Sequence, residues 1–391
     1  MRSPWRGVRV MISLVPTTPE TDERAIPVLW VCGPPGVGKT AVAWQLHTQL
    51  TQAGIGSAYV DLDQLGICYP EPAGDAGRHR VKTANLRAVV AHFRAAGAQC
   101  VLVSGVVDTA RGVAAEDLPR ARLLLCRLRA DHAELTRRFR HRQGAGAEVR
   151  EVLREADALD AGGIGVCVDT TGRTVEETAA LVRQRCGNWP AEAEVPAGSG
   201  AAPQRASRAG GEVLWLCGPT GVGKSATGFA VYLRTLRAGR TAAYVDLDQL
   251  AFHPRGGHRL TAANLAALWD TYHGAGARHL VITGPAENTT AITTCTQALP
   301  AARFAVCRLH ATAEHLAHRI TLRGRGEGWP QPGDPLPGLA AAQLHRVAED
   351  AAAQAQALER AELGDVRVDT SARTVDQVVD EVLARTGWPA T

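Results

Sequence analysis

Lysine is nearly absent from this chain: Lys39, Lys82 and Lys224 are the only three among 43 basic residues. Where arginine carries almost every positive charge, a retained lysine marks a position at which a compact ammonium does what a planar guanidinium does not. No C-x-x-C pair occurs among the nine cysteines, which excludes a zinc ribbon and a disulfide scaffold. Cys32, Cys126, Cys167, Cys217 and Cys307 sit in apolar runs and are read as small buried hydrophobes in a reducing compartment. No run of about eighteen apolar residues exists, so no transmembrane helix is expected. Arg2, Arg6 and Arg9 precede a short apolar stretch from Val10 to Val15, too brief for a secretory signal. A cytoplasmic location is therefore expected. Excess charge is also lacking: 43 basic against 39 acidic residues leave a net +4, which argues against a dedicated nucleic-acid binder and a membrane-surface role.

Two of the three lysines lie in the same motif. Gly33-Pro34-Pro35-Gly36-Val37-Gly38-Lys39-Thr40 and Gly218-Pro219-Thr220-Gly221-Val222-Gly223-Lys224-Ser225 both match G-x-x-x-x-G-K-[ST], followed by Ala41 and Ala226. Each follows a short apolar strand pattern and opens a helical one. Glycines let the backbone approach phosphate oxygens, a helix N-terminus offers free N–H groups, and the lysine supplies a point charge. The hydroxyl of Thr40 or Ser225 suits Mg2+. Binding of a nucleoside triphosphate, ATP with Mg2+, is expected at both places.

The whole chain is duplicated. From Val28 to Ala41 and from Val213 to Ala226, eleven of fourteen positions agree, and AYVDLDQL occurs at Ala58 to Leu65 and again at Ala243 to Leu250. His79-Arg80 and His258-Arg259 correspond, as do Cys126-Arg127-Leu128 and Cys307-Arg308-Leu309, and Val168-Asp169-Thr170 and Val368-Asp369-Thr370. Such a long period means a duplicated domain, not a solenoid. The expected division is a leader (1–27), a first domain (28–186), a Pro/Ala/Gly-rich linker (187–212), a second domain (213–386) and a tail (387–391). Apolar strands alternating with helices predict, in each copy, an α/β fold with a parallel five-stranded sheet covered by helices on both faces.

Four further groups carry chemistry. Asp61-x-Asp63 and Asp246-x-Asp248 end the second strand; carboxylates at i and i+2 share a face, one suited to a metal's outer shell (Asp61, Asp246) and one to an acceptor hydroxyl, with strand-end capping as the plain alternative. Asp108 and Glu287 follow the third strand as further acids. Arg138, Arg142, Arg319 and Arg323 flank Gly-rich segments, as in a lid closing over phosphates, or else form a solvated helix face. The His-Arg pairs precede the second helix, where an anionic small-molecule acceptor would bind. Lys82 beside the first pair has Thr261 as its counterpart and is read as a surface side chain. The second copy has an insertion near Gly324 to Gly338, so its lid must differ.

With these motifs each copy resembles the small-molecule kinases of the P-loop fold: shikimate kinase-like, nucleoside-monophosphate kinase-like and adenylylsulfate kinase-like proteins. The resemblance implies phosphotransferase activity, with Lys39, Asp61, Asp63, Arg138, Lys224, Asp246, Asp248 and Arg319 as catalytic residues. It implies adenine contact from Thr170 to Arg173 and from Thr370 to Arg373. Two features depart from it. Ser104-Gly105-Val106 and Thr283-Gly284-Pro285 stand where shikimate kinases carry three glycines, and the acceptor segment matches none of these families. A nucleotide-binding regulatory or scaffold protein is the competing class, and a division of labour between unequal copies is a third reading.

Overall fold

The computed structural model describes residues 25–107, 117–187, 189–190, 205–286, 288–327 and 333–389. The first half runs β1 (Ile26–Cys32), α1 (Lys39–Gln52), β2 (Ser57–Asp61), β3 (Cys68–Tyr69), α2 (His79–Ala95), β4 (Cys100–Ser104), β5 (Ala121–Arg129), α3 (His132–Gln143), α4 (Arg150–Gly162), β6 (Val166–Asp169) and α5 (Val175–Arg185). The second half runs β7 (Gly211–Cys217), α6 (Lys224–Arg237), β8 (Ala242–Asp246), α7 (His258–Gly274), β9 (His279–Thr283), α8 (Thr289–Ala298), β10 (Ala302–His310), α9 (Ala313–Gly324), α10 (Ala341–Arg360), β11 (Val366–Asp369) and α11 (Val375–Thr386).

The first sheet has the order β2-β4-β1-β5-β6, with all neighbours parallel. β1 is apolar and buried at every position because helices cover both its faces. Val28 and Trp30 join the core that includes Leu86 and Phe93 of α2. Leu29 and Val31 join the opposite core with Leu46 of α1 and Val182 of α5. At β1 the chain's strands turn outward in both directions, to β4 on one side and β5 on the other. The crevice beyond its carboxyl end is where ligands of such sheets bind.

The second sheet repeats this order as β11-β10-β7-β9-β8 and adds a sixth strand. The expectation of five strands there is corrected. β3 leaves the first half and pairs antiparallel with β8, Cys68 opposite Ala243 and Tyr69 opposite Ala242. The Tyr244 amide donates to the Ile67 carbonyl at 2.9 Å, and the Tyr59 amide donates to the Phe252 carbonyl at 3.0 Å. Each half thus covers the open edge of the other's sheet with the segment after its D-x-D-Q-L, which removes an exposed ladder. Behind these edges α2 and α7 share one hydrophobic core, with Phe93, Leu265, Trp269 and Tyr272 in a single cluster. Their contact includes a 2.8 Å hydrogen bond between His92 Nδ1 and Asn264 Oδ1.

Other boundaries shifted for local reasons. α2 begins at His79, so the His-Arg pair expected before the helix forms its first turn, because the Asp75 carboxylate accepts from the amides of Arg80 (2.9 Å) and Val81 (3.2 Å) and caps that turn. α4 and α10 were not read from the sequence; alanine-rich helices with narrow apolar faces blend into loops there. The expected linker is held at both ends: Trp189 is buried, Ser207 Oγ donates to Asp270 Oδ1 at 2.5 Å, and Trp269 Nε1 donates to the Ala209 carbonyl at 3.2 Å. The expected tail contains Trp388, which is buried and donates to Thr235 Oγ1 at 3.2 Å. All nine cysteines are free thiols, eight of them buried; Cys167, expected in the core, is only partly buried because it lies on the edge strand β6.

Candidate nucleotide-binding sites

Between β1 and α1 the glycine loop turns sharply. Gly33 has φ +141°, and a Cβ there would lie 2.4 Å from the Leu128 carbonyl oxygen, so only glycine fits. Gly38 (φ +101°) caps α1; no side chain caps the helix, no acid occupies its first turn, and a Cβ at Gly38 would meet nothing within 4 Å. The helix therefore presents unpaired N–H groups to open space, an arrangement that attracts an anion. Gly218 and Gly223 repeat both features before α6, with φ +144° and +98°. The remaining loop residues, Pro34, Pro35, Gly36 and Val37, and Pro219, Thr220, Gly221 and Val222, complete the two turns.

Lys39 curls back over its loop and donates from Nζ to the Pro34 carbonyl at 3.0 Å. Lys224 donates to the carbonyls of Gly218 and Pro219, both at 3.0 Å. Burial lowers both ammonium pKa values, against the opposing pull of Asp63 and Asp61 on Lys39 and of Asp248 and Asp246 on Lys224. Both lysines are held by neutral carbonyls, with no direct carboxylate partner among the described residues. That fits a lysine whose counter-charge is a phosphate.

The acids stand directly behind the loops. Thr40 Oγ1 donates to Asp61 Oδ2 at 3.1 Å, and Ser225 Oγ donates to Asp246 Oδ2 at 3.0 Å. Asp61 Oδ2 also accepts from Ser104 Oγ at 3.3 Å, and Ser104 meets the Tyr59 hydroxyl at 2.8 Å. Thr283 and Tyr244 form the same 2.8 Å contact in the second half. Ser104, at the end of β4, thus braces Asp61. The other carboxylate oxygens, Asp61 Oδ1 and Asp246 Oδ1, accept from the amides of Asp63 (3.0 Å) and Asp248 (3.1 Å). Burial first, and the neighbouring Asp63 charge second, push the Asp61 carboxyl up to about 6. A buried acid with raised proton affinity beside a threonine hydroxyl fits a site that gains a cation with its ligand. Asp108 and Glu287 lie outside the described residues.

Lys82 is not a surface residue. Its side chain is buried, and Nζ donates to Asp63 Oδ1 at 2.8 Å. Burial alone would raise the Asp63 carboxyl, but the Lys82 charge and hydrogen bond outweigh it and hold the pKa below the usual range. The sequence placed Lys82 one helical turn into α2 with no visible partner; only the return of α2 beneath the D-x-D turn joins them. In the second half Thr261 replaces it, and a cavity of about 220 Å3 opens beside Asp248, His258 and Thr261. Glu155 of α4 was also missed. Its charge acts on Lys39, and burial raises its own carboxyl.

The arginines expected in a lid divide into two kinds. Arg138 donates to the Val37 carbonyl (3.2 Å), to Thr170 Oγ1 (3.0 Å) and to the Thr170 carbonyl (2.8 Å). Arg319 donates to the Val222 carbonyl (3.1 Å), to Thr370 Oγ1 (2.8 Å) and to the Thr370 carbonyl (2.6 Å). Both therefore tie the glycine loop to the end of the last strand, and Arg138 Nε also donates to Glu134 Oε1 at 2.7 Å. In the first half this tie walls a cavity of about 500 Å3, bordered by Val37, Arg138, Thr170, Arg173 and Val175. Arg173 donates from Nε to the Asp169 carbonyl at 3.1 Å. Arg142 is exposed near the end of α3. Arg323 pairs with Asp334 of the insertion at 2.6 Å, and Arg373 pairs with Glu381. The structure does not bring Arg142, Arg323 and Arg373 together with the glycine loops through any described hydrogen bond.

Residues 29–158 match the family model described as AAA domain. No curated protein sequence matches the chain. Among solved structures the chain is similar to a gluconokinase from Sinorhizobium meliloti 1021 (20% identity, 46% of this chain and 93% of that one, TM-score 0.30). It is also similar to the Deinococcus radiodurans tunicamycin resistance protein (17%, 45% and 96%, 0.31). A third is Mycobacterium tuberculosis APS kinase, solved with AMPPNP and APS (18%, 44% and 96%, 0.29). The first half is a parallel α/β sheet with a P-loop motif between β1 and α1, and the family match falls on it.

Proposed function

We propose that the protein binds ATP at two P-loop domains, residues 28–186 and 213–386, and transfers the γ-phosphoryl group to a small-molecule acceptor. The observation that carries this reading is the repeated hydroxyl–carboxylate pair, Thr40 with Asp61 and Ser225 with Asp246, set beside a glycine loop and a carbonyl-held lysine. Lys39 and Lys224 neutralise phosphate oxygens. Thr40 and Ser225, backed by Asp61 and Asp246, hold Mg2+, which supplies charge neutralisation at the phosphates. Asp63 and Asp248 face the acceptor hydroxyl, and Lys82 keeps Asp63 ionised as a proton acceptor. Arg138 and Arg319 shape the base end of each site through the loop they fix. No described helix is long and apolar enough to cross a membrane, and nine free thiols suit the reducing cytoplasm we assign it to.

A second reading, in which one half transfers and the other only holds nucleotide, is favoured by one asymmetry. Lys82 occupies the acid of the first half, whereas open space adjoins Asp248 in the second. Calorimetry with Mg-ATP on the full chain tests the binding. A mass-spectrometric screen for phosphorylated products, with coupled ADP release, tests the transfer. ATP binding without any acceptor-dependent ADP would overturn the phosphotransferase reading in favour of a regulatory one.

A further inference from the structure

The exchanged edge strands create a cavity of about 510 Å3 that belongs to neither half alone. The first half contributes Ile67, Tyr69, Arg78 and, at one side, Asp63; the second contributes Phe229, Tyr232, Leu233 and Tyr244. The walls are mostly aromatic and aliphatic. Asp63, Gln64 and Arg78 break this lining at the first half's side. Arg78 lies over the Tyr69 ring at 4.0 Å, and its nearest acid among the described residues is Glu71 at 3.8 Å, beyond hydrogen-bond reach. Arg78 Nε is buried without a hydrogen-bond partner, so the guanidinium brings an incompletely paired positive charge to an otherwise apolar wall.

The pseudo-equivalent place in the other direction is closed. In the register that aligns Lys39 with Lys224, Trp44, His47 and Tyr59 match Phe229, Tyr232 and Tyr244, and Phe252 matches Ile67. There Phe252 packs edge-on against Trp44 with ring centroids 4.9 Å apart. Gly333 of the insertion also sits so close that a Cβ would lie 2.8 Å from Trp44 and 2.9 Å from Phe252. One site of the pair is filled by the chain's own aromatic ring, while the other has the smaller Ile67 and stays open. The filled copy shows what the open one accommodates: a flat ring between the aromatic wall and the incoming strand.

We propose that this cavity is a ligand site built jointly by the two halves, taking a flat, largely apolar small molecule with one anionic or strongly accepting group directed to Arg78. Its volume lies in the range of small-molecule sites, about 300–1,000 Å3. The site adjoins the first half's proposed acceptor acid, because Asp63 lines one side of it. The test uses the full chain and 6-hydroxy-2-naphthoate, a flat aromatic carboxylate, followed by fluorescence and calorimetry. Saturable binding at one site is expected. Ile67→Phe, which copies the filled counterpart, and Leu233→Trp, which fills the volume from the opposite wall, should each weaken it about tenfold or more. Arg78→Gln should weaken it while leaving binding of neutral 2-naphthol nearly unchanged. Circular dichroism melts identify a variant that fails to fold, and the other variant then decides. Absence of saturable binding, or binding indifferent to a folded cavity-filling variant, overturns the proposal. Mg-ATP calorimetry on the same samples separates this outcome from that of the proposed function, because failure of either binding leaves the other readable.

Discussion

Replacing Asp61 by Asn should stabilise the protein without ligand and remove the first site's stabilisation by Mg-nucleotide. Asp61 is 7% exposed, and its carboxyl is pushed from 3.8 to about 6 by burial and by Asp63. The folded chain therefore holds this proton more tightly than the unfolded chain does. Its contribution to stability is full below pH 3.8 and is lost as pH rises through about 6. At about 1.4 kcal/mol per pH unit, that interval amounts to about 3 kcal/mol. An asparagine keeps the geometry: Oδ1 accepts from the Asp63 amide, and Nδ2 donates to the hydroxyls of Thr40 and Ser104, which rotate to accept. Urea denaturation of both proteins from pH 4 to pH 8 measures the effect. The two curves should nearly coincide at the acid end and separate by up to about 3 kcal/mol above pH 7 in favour of Asp61→Asn. Nucleotide narrows the gap. At about one hundred times its Kd, Mg-ATP adds about 2.7 kcal/mol per occupied site to the wild type, and the variant should lose the first site's share. If Asp61→Asn is no more stable at any pH without ligand, the burial argument is wrong. If it retains the full Mg-ATP gain, Asp61 has no part in holding the metal.

Lys82→Met should cost about 1–2 kcal/mol at pH 7, discounted because Asp63 is half exposed. Since Lys82 depresses the Asp63 pKa, that loss is present above the ordinary carboxylate value and fades as pH falls through the folded value, which acid titration of stability checks. Gly228→Ala should destabilise by about 1–3 kcal/mol, because a Cβ there would lie 2.2 Å from Thr283 Cγ2; an unchanged melt would contradict the packing of α6 on β9. Lys39→Ala and Lys224→Ala, measured singly for ATP binding and ADP release, should each remove one nucleotide site. Equal losses of turnover would argue against a division of labour.

Much of the fold was legible because its signals are local. The strand–glycine loop–lysine order specifies β1, its turn and α1 within fifteen consecutive residues. The acid pairs were legible too, since Asp61 and Asp63 are neighbours in the chain. The arginines were misread because spacing along α3 and α9 says which side chains share a face but not what that face meets. Arg138 and Arg319 reach Thr170 and Thr370, which lie on a strand formed much later in the chain.

The sequence by itself determined the duplication, the two phosphate loops and the acids behind them, because each is a short run whose own backbone dictates its shape. Only the tertiary structure decided how the copies differ. Identical D-x-D-Q-L turns send their following segments across to the opposite sheet, where Ile67 leaves a cavity and Phe252 fills one. Lys82 finds Asp63 only after α2 folds back beneath that turn. These outcomes depend on contacts between residues far apart in the chain, and no single stretch of sequence contains both partners.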